Sequence, residues 1–229
     1  DFSLTPPRNT ILDNLKAAGL MVAGVGKIED IFAHRGLTAS NHTGNNLTTV
    51  DGTIDFIKGR QPGLIFANLV DFDALYGHRN NPQGYAEALE VFDQHLPRIL
   101  EALQADDILF ITADHGNDPT TPGTDHSRER VPILAAGPRV KRGVVLGDRA
   151  SFADVAASIA DLLARLQRHI QLVVGEGEGR YLGAVAPGEV VPGPIGAPAV
   201  AEEGPLVADH ATLDAAHARR RHRVRHLFE

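Results

Sequence analysis

Two segments of the sequence each place an aspartate and a histidine soon after an apolar run that is typical of a buried strand. The two runs occupy residues 63–70 and 107–112. Open α/β sheets hold their ligands just outside the carboxyl ends of their strands, so both polar segments are expected at such an edge. A further histidine follows the second segment. The pattern therefore predicts one composite site made of His78, Asp114, His115, His126 and an aspartate of the first segment, either Asp73 or Asp71.

The residue types in this predicted site favour a divalent metal centre. Carboxylate oxygens and imidazole nitrogens together suit Mn²⁺, Zn²⁺ or Fe²⁺, and a chain without cysteine offers no thiolate ligand. A single histidine after a strand is usually an ordinary hydrogen-bonded residue. Two aspartate and histidine pairs with a further histidine favour the metal site over that alternative. Two ions about 3.5–4 Å apart are able to clamp a phosphoryl group.

Three longer motifs surround these residues: VGKIEDIF at residues 25–32, NLVDFDALYGHR at residues 68–79 and ITADHGNDPTTPGTDHSRERVP at residues 111–132. In this order they resemble the phosphopentomutase family of the alkaline phosphatase superfamily. The resemblance covers about residues 1–160. It implies an isomerase that interconverts ribose or deoxyribose 1-phosphate and 5-phosphate, with a small-molecule sugar phosphate as its substrate.

The resemblance also assigns roles to the predicted ligands. It implies two Mn²⁺ ions, one held by Asp73, His78 and His126 and the other by Asp114 and His115. In the family, a further aspartate ligand and the threonine that carries the phosphoryl group come from an N-terminal part of the core, and a cap domain follows. This chain is expected to be the C-terminal part of such a core and to be inactive alone.

Two more residues near these motifs have competing interpretations. Lys27 follows a predicted strand beside two glycines, and the resemblance favours a role in binding the substrate phosphate. The alternative is a solvated lysine at a helix N-terminus. Asp71 lies two residues before Asp73 and is able to replace it as a ligand, but the resemblance points to Asp73. Asp71 is then expected to accept hydrogen bonds behind the metal.

The sequence is also compatible with two further functions. One is a different enzyme of the same superfamily, either a cofactor-independent phosphoglycerate mutase or a phosphatase. The other is an inactive metal-binding fragment, because the nucleophilic threonine of the family is not recognised among these residues. The motifs YGHR and TDHSRE favour the phosphopentomutase over the first alternative.

Charge and hydropathy exclude several other partners. The formal net charge is −7, which argues against nucleic acid as a partner. No apolar run has the length needed to cross a bilayer, and no signal sequence is recognised, so no membrane is expected and a cytoplasmic location is predicted.

The apolar patterns predict an α/β fold with a largely parallel sheet and helices on both faces, like the alkaline phosphatase core. Strands are expected near 21–25, 64–70 and 107–112, with a short strand at 133–136 near an edge. Helices are expected near 10–18, 28–34, 50–58, 82–103 and 151–163.

Three local features refine these helix predictions. Pro97 predicts a kink or a break in the long helix. Ser151 and Asp154 match a capping box at the start of the last helix. Residues 36–49 are polar and turn-rich, and no element is predicted there.

The composition changes after residue 163. Residues 1–163 are predicted to form the metal-binding portion of the core. Residues 164–229 are first rich in glycine and proline and then in arginine and histidine. Such a composition offers few apolar side chains to bury, so little packed structure is expected in this extension.

Overall fold

The structure is a computed structural model that describes residues 3–166. The chain divides into two units at the Val140–Lys141 bond. Residues 141–166 are the described part of the second unit. The expectation of little packed structure in the extension concerns residues that lie almost wholly outside the described range, and the domain boundary at 163 stays a prediction.

A three-stranded parallel sheet forms the centre of the first unit. Its strands are β1 (Met21–Val25), β2 (Ala39–Asn41) and β3 (Gly63–Ala67), in the order β2-β1-β3. The register aligns Val25 with both Asn41 and Ala67. All three strands therefore end at one level, and the segments that follow them share one edge of the sheet.

The central strand is covered on both sides. Successive residues of a strand point to opposite faces, and both Val22 and Ala23 of β1 are fully buried. Helices α1 (Ile11–Ala17), α2 (Ile28–Ile31) and α3 (Asn46–Lys58) all contact β1. The predicted α/β class, with a parallel sheet covered by helices, is confirmed.

A second, two-stranded antiparallel sheet contains β4 (Leu109–Thr112) and β5 (Ile133–Ala136). The predicted strand at 133–136 is confirmed. The expectation that residues 107–112 join the parallel sheet is wrong, because the chain folds back between the two strands and β5 supplies the hydrogen bonds of β4. An apolar run indicates a strand but does not identify its partner.

One hydrophobic cluster joins α3 to the long helix α4 (Pro82–Ala102). The buried members of the cluster are Val50, Ile54, Ile57 and Ile99. Partly buried residues from both sheets, Ile65 of β3 and Leu109 of β4, pack against it. The two helices thus pack against the strands that lead into the predicted site.

The helix boundaries differ from the predictions where polar side chains cap the helices. Helix α3 begins at Asn46 rather than near residue 50, because the Asn45 side chain accepts a hydrogen bond from the Thr48 N–H. Helix α4 continues through Pro97, so the predicted break is absent from it. The short strand β2 lies in the polar segment where no element was predicted.

The last described helix, α5 (Ala153–Leu166), begins differently from its prediction. The Ser151 hydroxyl accepts a hydrogen bond from the Ala153 N–H at 3.1 Å. The Asp154 carboxylate instead pairs with Arg149 at 2.6 Å. A nearby guanidinium is a stronger donor than a backbone amide, so it takes the place that a capping box gives to the backbone. Within residues 3–166, no helix has the length and apolar character needed to cross a membrane.

Substitution of Gly26 tests the close backbone contact between the end of β1 and Asn68. Its φ of +81° and the carbonyl oxygen of Asn68, 2.6 Å from where a Cβ would lie, both disfavour a side chain. We expect Gly26→Ala to lower the free energy of unfolding by about 3 kcal/mol, from backbone strain and overpacking together. Gly19 has a φ of +77° with open space around it, so Gly19→Ala should cost only about 1 kcal/mol. Equal losses in urea unfolding would contradict the role of the close contact.

Candidate metal centre

A short π-helix, Phe72–Tyr76, carries Asp73 just after β3. The Phe72 ring packs against Tyr85 and Phe92 of α4, with centroids 5.6 Å and 6.4 Å away. These contacts hold the π-helix against α4 through Phe72. The next residue, Asp73, then lies beside the histidines of the predicted site. Burial raises the pKa of Tyr85, and the negative charge of Asp73 raises it further.

Asp73 lies between two histidines. Its Oδ2 is 3.3 Å from His78 Nε2, and its Oδ1 is 3.3 Å from His126 Nε2. The rings of His78 and His126 are tilted, with centroids 4.9 Å apart. His126, far from Asp73 in the sequence, is thus brought to the same carboxylate as the nearby His78.

The other two predicted ligands come from the chain that follows β4. An antiparallel bridge pairs Gly116 with Ser127 beyond the β4 and β5 pair. In this register His115 and His126 are diagonal neighbours on one face, a relation that aromatic rings can span. Their rings stack with centroids 3.6 Å apart. Asp114 Oδ1 lies 3.7 Å from His115 Nε2.

Backbone carbonyls determine which ring nitrogen is available in two of the histidines. His78 Nδ1 contacts the Thr124 carbonyl, and His115 Nδ1 lies 3.2 Å from the Gly116 carbonyl. A carbonyl only accepts hydrogen bonds, so each Nδ1 is the protonated nitrogen. In the neutral form of each ring, Nε2 is then the nitrogen with a free lone pair, and it faces a carboxylate. A bound cation would attract both groups.

The spacing of these atoms fits a metal ion. Nitrogen and oxygen ligands lie about 2.0–2.2 Å from a small divalent ion, which separates neighbouring ligand atoms by roughly 3–3.5 Å. The separations at Asp73 have that length. Ligand atoms of Asp73, His115 and His126 all lie within 4.8 Å of one another. An Nδ1 held by a carbonyl is the usual orientation of a metal-binding imidazole.

The structure brings all five predicted ligands into one chain of contacts. The compact group of three combines Asp73 and His126 with His115, which the resemblance assigned to a different ion. The His126 ring contacts the rings of both His78 and His115, so His126 is shared by the two ligand groups that the resemblance separates. The division of the ligands between two ions stays a prediction. Asp114, with 71% of its side chain exposed, is the most open of the five.

Side chains rather than an apolar core order the loop that carries His126. Asp118 accepts hydrogen bonds from the Thr120 hydroxyl and backbone N–H, at 2.7 and 2.8 Å, and these bonds lower the pKa of Asp118. The Asp118 N–H donates to the Ser127 hydroxyl at 2.7 Å. The loop is therefore closed directly beside His126.

Asn80 attaches this loop to the segment that carries His78. Its side-chain amide donates to the carbonyls of Thr121 at 2.9 Å and Gly123 at 2.7 Å. Its backbone is left-handed, with φ of 48°, a conformation that asparagine adopts more readily than most residues. Asn80 was not predicted from the sequence, although its position directly before the Asn81-Pro82 helix start is a signal.

Asn117 was also missed. Its side-chain amide donates to Asp73 Oδ1 at 2.6 Å. The signal in the sequence was its position, two residues after His115 in the motif that supplies two ligands.

Asp71 forms its hydrogen bonds with Asn46, which is not one of the five predicted ligands. Its Oδ2 accepts a hydrogen bond at 2.9 Å from the N–H of Asn46, at the start of α3, and its own N–H donates to the Asn46 side chain at 3.0 Å. It is an acceptor, as expected, but the structure shows it bonded to a helix terminus rather than to a ligand.

Lys27 lies at the sheet edge predicted for it, between the end of β1 and the start of α2. Its side chain is exposed. Within residues 3–166, no hydrogen bond or ion pair joins it to the five ligands. Its role in binding phosphate stays a prediction.

A family model places the chain among known proteins. The Metalloenzyme superfamily matches residues 13–165. Curated relatives named phosphopentomutase are similar in sequence over much of the chain. The relative from Clostridioides difficile is 51% identical over 170 residues, covering 74% of this chain and 44% of its own. The relative from Caldanaerobacter subterraneus subsp. tengcongensis is 57% identical over 162 residues, covering 71% and 41%. The resemblance stated from three motifs is confirmed, and the chain spans less than half the length of these relatives.

Solved structures show the same fold at low sequence identity. A phosphoglycerate mutase from Leishmania mexicana, solved at low cobalt concentration, matches with a TM-score of 0.53 and 17% identity, over 66% of this chain and 36% of that one. The PH0037 protein from Pyrococcus horikoshii matches with a TM-score of 0.50 and 21% identity, over 66% and 51%. These likenesses concern the fold alone.

Substitution of the central ligands should separate them from Asp71. We expect Asp73→Ala and His126→Ala each to abolish most Mn²⁺ binding, because each removes a donor atom from the shared cluster. Asp71→Asn should weaken it more modestly, by roughly the 10- to 100-fold typical of residues that support metal ligands. Calorimetric titration in which Asp71→Asn is worse than Asp73→Ala would mean that the two carboxylates have been exchanged.

Asn80 tests whether loop attachment matters for the metal. Asn80→Asp keeps the shape and the left-handed preference but removes both amide donors, so we expect about tenfold weaker Mn²⁺ binding and faster proteolysis within residues 119–124. Asn80→Gly keeps the backbone conformation and adds no charge, and it should have the same effect. Normal binding by Asn80→Gly would show that charge, not the lost hydrogen bonds, explains the result.

Proposed function

This chain belongs to the Metalloenzyme superfamily, and from that membership we propose that it forms the metal-binding part of a phosphopentomutase. The relatives with that name support the proposal by their 51–57% identity. The observation that carries it is the Asp73 carboxylate, which faces Nε2 of both His78 and His126 at 3.3 Å. Superfamily membership and this cluster support the use of divalent metal.

The proposed reaction interconverts ribose or deoxyribose 1-phosphate with the corresponding 5-phosphate. Bound divalent ions supply charge that stabilises the transferring phosphoryl group. The chain's own contribution is to hold that charge in place: carbonyl bonds at Nδ1 orient His78 and His115, and stacking orients His126. We propose two Mn²⁺ ions as the metals, since mixed carboxylate and imidazole ligands suit that ion.

Lys27 is proposed to bind a phosphate of the sugar. It is an exposed cation at the carboxyl edge of the parallel sheet, and the segment after β3 leads from the same edge to Asp73. An ammonium group there is able to approach a dianionic substrate that also needs the metal charge. The acidic net charge of −7 makes such local positive groups necessary for a phosphate ligand.

The relatives' greater length bears on the rest of the site. This chain covers 41–44% of them. We propose that the remaining metal ligand and the threonine that carries the phosphoryl group belong to the part of the enzyme not represented in these residues. The exposed side of Asp114 is where such additional groups are able to join the cluster.

Two other functions share part of this support. The likeness to a phosphoglycerate mutase structure shows that the fold is compatible with another phosphomutase of the superfamily, but fold alone does not determine the substrate. A metal-binding fragment without activity is compatible with the same ligand cluster. Sequence identity above 50% to proteins named phosphopentomutase favours the first proposal over both.

An activity assay separates these proposals. The 229-residue chain should bind Mn²⁺ weakly, because one proposed ligand lies outside these residues. It should show no conversion of ribose 1-phosphate to ribose 5-phosphate, because the proposed nucleophilic threonine also lies outside them. A polypeptide extended by the residues encoded upstream of Asp1 should catalyse it with Mn²⁺ and lose the activity in His126→Ala.

Three results would contradict the proposal. Turnover by the 229 residues that disappears in His126→Ala would place the nucleophile within them. Release of free phosphate by the extended polypeptide would favour a phosphatase. Preference for a phosphoglycerate over ribose 1-phosphate would favour the other mutase.

A further inference from the structure

We propose that Asn117 is a positioning residue for the metal ligand Asp73, and that residue 77 is glycine in order to make room for it. The inference rests on the metal centre proposed above and adds a residue that fixes one ligand's orientation. Two independent observations support it: the hydrogen bond from Asn117 to Asp73, and the space at Gly77.

The hydrogen bond is short and runs in one direction. Asn117 Nδ2 donates to Asp73 Oδ1 at 2.6 Å. The same oxygen is 3.3 Å from His126 Nε2, while the other oxygen of Asp73 faces His78. A bond to one oxygen stops rotation of the carboxylate, so each oxygen stays directed at its own histidine.

The Asn117 amide lies where the side chain of any residue other than glycine at position 77 would lie. The backbone of Gly77 is right-handed helical, with φ of −61° and ψ of −61°, so its conformation does not require glycine. A Cβ there would lie 2.2 Å from Nδ2 of Asn117, 2.4 Å from its Cγ and 2.6 Å from its Oδ1. All three nearest atoms belong to the one side chain. The Asn117 amide thus occupies the space that a side chain at residue 77 would need.

An amide suits this position for an electrostatic reason. It donates a hydrogen bond to Asp73 without adding positive charge, so the carboxylate keeps its full attraction for a cation. A lysine or arginine in its place would neutralise Asp73 and compete with the metal. Holding the ligand in its bound orientation before the ion arrives reduces the entropy lost on binding.

The test is a Mn²⁺ titration of the 229-residue chain and three variants. Asn117→Ala removes the donor and should weaken Mn²⁺ binding by roughly 10- to 100-fold, the range found for residues that support metal ligands. Gly77→Ala should cause a similar loss, because its methyl group displaces the amide. Gly44→Ala is the matched control, since a Cβ at Gly44 meets nothing within 4 Å, and it should bind as the wild type does.

A double variant tests the link between the two residues. Asn117→Ala removes the three atoms nearest to a Cβ at residue 77, so Gly77→Ala should add no further loss in that background. Two losses that multiply in the double variant would show that Gly77 acts independently of Asn117 and would overturn the second half of the proposal.

Two further measurements separate positioning from a general loss of structure. The thermal midpoint of the metal-free chain should stay the same in Asn117→Ala, while the visible absorption of bound Co²⁺ should change because Asp73 is turned. Wild-type affinity in Asn117→Ala, or a fall in affinity that only parallels a lower thermal midpoint, would overturn the positioning role. A wild-type chain that binds no Mn²⁺ would instead overturn the metal centre itself, and with it this inference.

Discussion

The carboxylate of Asp73 is the group on which the site depends. Two imidazole nitrogens approach it, and the carbonyl partner of His78 Nδ1 leaves that ring's Nε2 without a proton when the ring is neutral. Lone pairs that face one another repel unless a cation lies between them. The surrounding segments therefore hold ligand atoms together where a bound cation would be attracted to all of them, as in a metal centre.

Two kinds of stabilisation position this cluster. Below it, apolar packing of α3 and α4 against Ile65 and Leu109 brings the two sheets together. Around it, polar side chains hold exposed backbone: Asn80 binds the loop carbonyls and Asp118 closes the loop. Side-chain hydrogen bonds to backbone of this kind are individually modest, so the loop should be the least stable part of the site.

The chain resembles solved structures in fold and phosphopentomutases in sequence. The likeness to solved structures at 17% and 21% identity covers 66% of this chain and concerns the fold, which many chemistries share. The identity of 51–57% to phosphopentomutases extends over residues that include the whole ligand cluster. The chain spans only 41–44% of the length of these relatives, so the sugar substrate stays a proposal.

Local patterns were enough to predict the strands near residues 21–25 and 133–136, because apolar periodicity is a property of neighbouring residues. Strand-end motifs indicated the candidate ligands, and the family resemblance selected Asp73 over Asp71. Long-range pairing was not predictable in this way. The antiparallel partner of β4 and the hydrogen bonds of Asp71 and Asn117 join residues far apart in the chain. Such contacts form only when packing brings the segments together, and so they required the folded structure.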